Sequence, residues 1–238
     1  MRNILITNDD GIEADGIARL AECAKAFGEV WVVAPKDQNS ALSHSITLHR
    51  PLTFRPHSFP VQGVHAFSVD GTPADCVRVG SLSIMPKKPD AVFSGINYGY
   101  NIATDIQYSA TAGAAFEGVF QGYPAIAFSE NAGKCHEVTD RYLREIMEEL
   151  LEEPFVPGEI LNVNFPGCAL SECRGIERDV AVSGIIYYED HYEVLKSFPD
   201  GGAEVMVEGV HTPRTEEGTD YGAILSNHVA IGRVRNIG

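Results

Sequence analysis

No stretch of this chain approaches the roughly 20 consecutive apolar residues that a membrane-spanning helix requires, so no span and no membrane partner are expected. Basic residues are scarce as well. Lys and Arg number 18 against 33 Asp and Glu, a formal net charge of −15. That deficit excludes a surface that wraps a nucleic-acid polymer. A small anionic ligand stays possible where a local positive charge, such as a bound metal, draws it in. Paired cysteines are missing: Cys23, Cys76, Cys135, Cys168 and Cys173 are odd in number and form no CxxC. A disulfide framework and a zinc site are therefore set aside in favour of free or buried thiols. The N-terminus lacks the charged, then apolar, then small-residue order of a secretory leader, which predicts a cytoplasmic protein. No GxGxxG follows the first apolar run and no GxxxxGK[ST] occurs anywhere, so dinucleotide-cofactor and P-loop readings have no support.

What is present is the composition of an ordinary soluble globular protein, 44% hydrophobic and 21% charged over 238 residues. Short apolar runs alternate with helical patterns. Residues 3–7 (NILIT) and 90–94 (DAVFS) read as strands buried on both faces, and 29–34 (EVWVVA) and 124–128 (PAIAF) as further strands. Residues 13–27 place Ile17, Leu20, Ala21 and Ala24 on one helical face and stop at Gly28. Helices are also predicted over 73–84, 109–121 and 137–153, and extended segments over 46–54 and 64–69. The acidic run 145–153 reads as a solvated helix face. The alternation implies an α/β fold, a mostly parallel sheet with helices on both faces.

After Pro154 the pattern changes. Residues 160–165 (ILNVNF) read as one more strand, and 178–187 as antiparallel. A hairpin follows, turning at Asp200-Gly201-Gly202. The expected division is an α/β core over residues 1–170 and a C-terminal β-rich extension over 171–238, forming one domain overall. The hairpin, about 192–209, carries Val194, Leu195, Phe198, Val205, Met206 and Val207, more apolar surface than an exposed two-stranded ribbon tolerates. A second copy of the chain is the natural cover, which predicts a homo-oligomer, at least a dimer.

In an open parallel sheet, ligands bind beyond the carboxyl ends of the strands. The segments there are NDDGIEADG, PKDQNSALSHSIT and GINYGYNIATDIQYSATAG, all rich in oxygen-bearing side chains, glycine or both. Asp9 and Asp10 would repel each other. Past the strand end, Gly11 allows a turn that brings them toward one point, where a divalent cation cancels the repulsion. With neutral oxygens from Ser40 and Asn97 the set describes a hard-cation site, Mg²⁺ or Mn²⁺. The competing reading is that Asp10 caps the helix starting near residue 13 and Asp9 is solvated. Ser109 and Thr111 open a helix whose first turn carries only small side chains, an anion site by its free N–H groups and dipole. Ser109 capping with close alanine packing is the alternative. Asn97 and Asn101 add amides able to bond metal or phosphate oxygens. Ser43-His44-Ser45 is discounted as a nucleophile–base pair, and Asp75 is read as complementing a helix dipole.

Taken together, ILITNDDGI, VVAPKDQNSALSHSITL, VDGTPADCV, DAVFSGINYGYN and YSATAGAAFEG resemble, in order and spacing, the survival protein SurE family of nucleotidases. The resemblance is dense over residues 1–130 and thinner through ILNVNFP and GTDYGAILSNHVAI. It implies a Rossmann-like core and a metal-dependent phosphatase of nucleoside 5′- and 3′-monophosphates, with short polyphosphate a further substrate in some members. One Mn²⁺ or Mg²⁺ per subunit would be held by residues matching Asp9, Asp10, Ser40 and Asn97. Asn101, Ser109 and Thr111 match residues around the phosphate. The C-terminal extension implies exchange between subunits of dimers or tetramers. Two departures stand out: Ala110 where the family has glycine, and a VAIGRVRNIG ending where it has Thr-Pro-Leu.

The reaction so implied is in-line attack of water on a phosphomonoester, oriented by Asp9 or Asp10. An aspartyl-phosphate route goes with a DxD arrangement, and here the acids are adjacent. Ser40 as nucleophile is a third route. The rival of another class is a regulatory module that binds metal and nucleotide without turnover.

Overall fold

The structure, a computed structural model, describes residues 1–211, 213 and 216–236. Along the chain run β1 (Arg2–Thr7), α1 (Asp15–Ala24), β2 (Gly28–Pro35), β3 (Phe54–Pro56), β4 (His65–Val69), α2 (Pro73–Val79) and β5 (Ala91–Tyr98). There follow α3 (Ala110–Phe120), β6 (Ala125–Glu130), α4 (Glu137–Leu150), β7 (Glu159–Phe165) and β8 (Ile176–Arg178). The last elements are β9 (Tyr188–Ser197), β10 (Ala203–His211), α5 (Asp220–Leu225) and β11 (Val229–Arg235). Nine strands form one sheet in the order β3-β4-β2-β1-β5-β6-β7-β11-β8. The centre, β4 through β7, is parallel, while β3 and β11 run antiparallel to their neighbours β4 and β7.

Strand periodicity builds two cores, one on each face. On β1, Ile4 and Ile6 join the layer under α1 and α4, while Leu5 faces the layer under α2 and α3. On β2, Val30, Val32 and Ala34 take the first layer and Trp31 and Val33 the second. Each such fully buried aliphatic side chain contributes about 1.5–3 kcal/mol relative to exposure. The continuous apolar runs are thus strands covered on both sides, and the expected α/β architecture is what the structure has.

Several local expectations are corrected. Residues 46–53 form no strand, because their backbone donors go to carboxylates: Thr47 N–H to Asp75 at 2.9 Å and Thr53 N–H to Asp70 at 2.7 Å. With its donors spoken for, that segment has little left for a ladder. The span 178–187 keeps the end of β8, which pairs parallel to β11, and a single parallel bridge from Ala181 to Thr219, and Asp220 takes the Ser183 N–H at 2.9 Å. The acidic face of α4 is not merely solvated. Glu149 pairs with Arg178 at 2.6 Å, and Glu152 and Glu153 beyond the helix end reach Arg2 and Arg233 at 2.5 and 2.6 Å.

Beyond residue 171 the chain is divided. β8 and β11 join the main sheet, and α5 sits over a third small core of Ile102, Val180, Tyr221, Ile224 and Ala230. β9 and β10 form a separate two-stranded ribbon turning at Asp200-Gly201-Gly202, where the Gly202 N–H donates to Asp200 Oδ1 at 3.0 Å. Every residue of β9 is exposed. Tyr192 opposes Val207 and Val194 opposes Val205, so one face of the ribbon is an uncovered apolar strip.

Candidate active site

The carboxyl ends of β1, β2, β5 and β6 and the start of α3 converge on one edge. Gly11 adopts φ +97°, a left-handed turn that suits glycine, and the Asn8 amide locks it by donating to the Gly11 carbonyl at 2.8 Å. The loop after β2 is pinned alongside: Asn39 N–H donates to the Asp9 carbonyl at 2.6 Å and Ile12 N–H to that of Pro35 at 2.9 Å. From the opposite face, α3 reaches the same turn. The Thr111 hydroxyl, fully buried, donates to Asp9 Oδ1 at 2.9 Å. Gly113 makes room for the neighbouring loop, since a Cβ there would stand 2.6 Å from the Ser43 carbonyl oxygen.

Asp10 turns the other way. Its Oδ2 accepts the Tyr98 N–H at 3.0 Å, and the Gln38 side chain bonds it too. Gln38 Nε2 also donates to Ser40 Oγ at 3.1 Å, which ties the third expected oxygen to the pair. Asn97 sits past a register shift in β5, its amide donating to the Gly99 carbonyl at 2.8 Å. Bulges of this kind re-aim side chains at strand ends. The capping alternative for Asp10 fails, because α1 starts from Ala14 with no side-chain cap.

The electrostatics of the pair are those of a site built for a cation. Burial, and then the neighbouring Asp10 carboxylate, push Asp9 up to about 7, although the Thr111 hydroxyl pulls the other way. Asp10 is raised too, mainly by burial. No Lys or Arg pairs with either carboxylate among the described residues, and Asn8 Oδ1 is buried without a protein partner. Two carboxylates with hydroxyl and amide oxygens suit a hard divalent ion. No group of three or more His, Cys, Asp or Glu suited to a metal stands among the described residues.

The phosphate-side expectations divide. Ser109 is the α3 N-cap, its Oγ accepting the Ala112 N–H at 3.0 Å. Thr111 was expected to face a phosphate; its hydroxyl proton is instead committed to Asp9, which makes it a positioning group for that carboxylate. Asn101 is buried in a polar lattice at the ends of β6 and β7: its Nδ2 donates to Ser129 Oγ at 2.8 Å, and its carbonyl accepts from Asn162 and Asn164 at 2.9 and 3.2 Å. Ser43 and His44 do not face each other. The hydroxyl donates to the Gln107 carbonyl and the imidazole meets Glu117 at 2.8 Å. Asp75 closes a capping box with Thr72 at the start of α2. Sequence reasoning missed Gln38 and Asn8. Both lie inside the two loops already singled out, but no spacing rule marks a residue that bridges loops.

The family described as Survival protein SurE matches residues 4–188. A protein of Clostridium botulinum (strain ATCC 19397 / Type A) named 5′-nucleotidase SurE is 37% identical over 233 residues, covering 96% of this chain and 91% of that protein. Its namesake from Caldanaerobacter subterraneus is 37% identical over 234 residues, covering 96% and 89%. The crystal structure of the SurE protein from Aquifex aeolicus superposes with a TM-score of 0.81 at 34% identity, covering 98% of this chain and 93% of that one. With the family matched over most of its length and the carboxylate edge assembled from the same motifs, this chain belongs to the survival protein SurE family.

Proposed function

We propose that the protein is a metal-dependent phosphomonoesterase that hydrolyses nucleoside 5′- and 3′-monophosphates to nucleoside and phosphate. The observation that carries this is the Asp9–Asp10 pair, unpaired with any Lys or Arg among the described residues: Asp9 is buried and held by Thr111 from the start of α3, and Asp10 is half-buried and held by the Tyr98 N–H. The name 5′-nucleotidase SurE borne by the relatives supports the same reading. Asp9, Asp10, Ser40 and Asn97 would hold one Mn²⁺ or Mg²⁺, which when bound polarises phosphoryl oxygens. The positive end of α3, capped by Ser109, faces the phosphate and favours its charge. Thr111 holds Asp9 in register, and Asn101 holds the loop that carries Asn97. Asp10, the less buried carboxylate, orients the attacking water and accepts its proton.

Phosphate release from nucleoside monophosphates by purified protein tests this. Activity with Mn²⁺ or Mg²⁺, abolished by EDTA and restored by metal, is expected; full activity in chelator-treated protein overturns the site as described. Metal and nucleotide binding with no phosphate release would leave a regulatory module in its place.

We infer further that the protein is a homo-oligomer, dimer or tetramer, with the β9–β10 ribbon crossing between subunits. Its uncovered strip of Tyr192, Val194, Val205 and Val207 supports this. A cytoplasmic location is supported by five cysteines that are all free thiols. No helix among the described residues is long and apolar enough to cross a membrane.

A further inference from the structure

We propose that the cleft on the Asp10 side of the site is a nucleoside subsite, with the ring of Tyr98 as its stacking platform; this rests on the nucleotidase reading above. The cleft, about 330 Å³, opens between the start of α1 and the ends of β5 and β6, and its walls include Asp10, Asp15, Gln38, Ile96, Tyr98 and Glu130. That volume is at the small end of ligand pockets. Tyr98 is 58% exposed. Its own N–H holds Asp10 Oδ2 at 3.0 Å, so one peptide carries both the grip on the metal-side carboxylate and an open aromatic face. The cleft shares Asp10 with the aspartate pair, so a phosphate held there would present its ester group to the cleft that Tyr98 lines. Aromatic faces accept every base, because each base has a π-face of its own.

A second cleft of about 330 Å³ lies on the other side of Gln38, walled by Lys36, Asn39, Arg50 and Asp70. It has no aromatic wall, and its Arg50 guanidinium is already bound to the Asp70 carbonyl and paired with the Asp70 carboxylate at 3.4 Å. The ring therefore assigns the nucleoside to the Tyr98 side.

The charge of that cleft adds a selection. Glu130 is met by Arg19 at 2.6 Å and by His136 at 2.9 Å. Asp15 is open to solvent and has Arg19 only at 3.9 Å. With Asp10 committed to the cation, the solvent-open Asp15 is the charge by which the cleft receives a neutral nucleoside and repels further phosphates. It thus disfavours nucleoside di- and triphosphates, and short polyphosphate with them, relative to monophosphates.

The test compares kcat/KM for a nucleoside monophosphate with kcat/KM for glycerol phosphate, which has no base. Calorimetric titration of the metal-free protein with adenosine runs beside it. Tyr98→Ala should lower the ratio roughly five- to thirtyfold, mainly through KM, and weaken adenosine by a similar factor, with Tyr98→Phe restoring both. Asp15→Asn should raise the rate on a nucleoside diphosphate relative to the monophosphate. An unchanged ratio and unchanged adenosine affinity in Tyr98→Ala overturn the assignment, as does a ratio that instead follows Lys36→Ala. An Asp15→Asn protein with the wild-type diphosphate preference overturns the charge selection. The nucleotidase reading is judged apart, by whether the wild type releases phosphate from monophosphates at all, while adenosine binding tests the cleft without turnover.

Discussion

The carboxylate edge and the β9–β10 ribbon are unfinished in opposite ways. At the edge, charged and polar groups are wholly or partly withdrawn from water, held by the protein's own donors, yet have no Lys or Arg counter-charge among the described residues. On the ribbon, apolar side chains are left in water on two strands that pair only with each other. The first arrangement asks for a cation, since buried like charges are costly until one neutralises them. The second asks for another apolar surface, since a lone two-stranded ribbon is marginal in water. The difference teaches what kind of partner each region needs: an ion in one case, a protein face in the other.

The hardest blow to this comparison falls on the aspartates. Asp9→Asn and Asp10→Asn should each lower kcat/KM by about 10²–10³-fold, while thermal melts show the metal-free protein no less stable. A large loss of metal-free stability would mean that the pair holds the fold rather than a cation. Thr111→Val comes next. It keeps the shape and removes a hydrogen bond to a carboxylate, worth about 1.5–3 kcal/mol, so kcat/KM should drop roughly ten- to hundredfold. Unchanged kinetics in this variant would reduce Thr111 to packing.

Deleting residues 192–209 sharpens the other half. Light scattering should show the intact protein as a dimer or larger, and the shortened one as monomer or aggregate. An intact protein that stays monomeric at micromolar concentration ends the oligomer reading. The smallest effect is one of pH. The folded pKa of Asp9, about 7, lies above the ordinary value of about 4. The folded state therefore binds the extra proton, and this group's stabilisation is full below about pH 4 and lost as the pH rises through about 7. Denaturant titrations of metal-free protein should show that decline, and Asp9→Asn should flatten it. Added Mn²⁺ should restore stability at the high-pH end, because it replaces the proton.

Some of this was written locally along the chain. The runs NILIT, EVWVVA, DAVFS and PAIAF are buried strands because a half-exposed strand alternates polar with apolar residues, and the interiors of these runs do not. The parallel order of such strands puts their trailing loops on one edge, so Asp9, Asp10, Ser40, Asn97, Ser109 and Thr111 were legible as one neighbourhood. The hairpin and its turn were legible for the same reason, a short-range pattern with a short-range cause. Other parts were not. β11 reads poorly as a strand, with two arginines and a glycine, and it forms one because β7 and β8 pair with it from either side. Gly232 in it has no local meaning; a Cβ there would stand 2.4 Å from the Val180 carbonyl oxygen.

By itself, then, the order of residues determined the central strands and the main helices, which loops share an edge, and the kind of oxygen each offers. Only the tertiary structure decided what those oxygens do. It turned Thr111 toward Asp9 instead of open space, gave Asp10 to the Tyr98 N–H instead of a helix cap, and joined Asp10 to Ser40 through Gln38. The physical reason is distance along the chain. Periodicity and capping act over a few residues, whereas Asp9 and Thr111 are 102 positions apart and Asp10 and Tyr98 are 88. A hydrogen bond over such a span exists only once the sheet has brought its ends together.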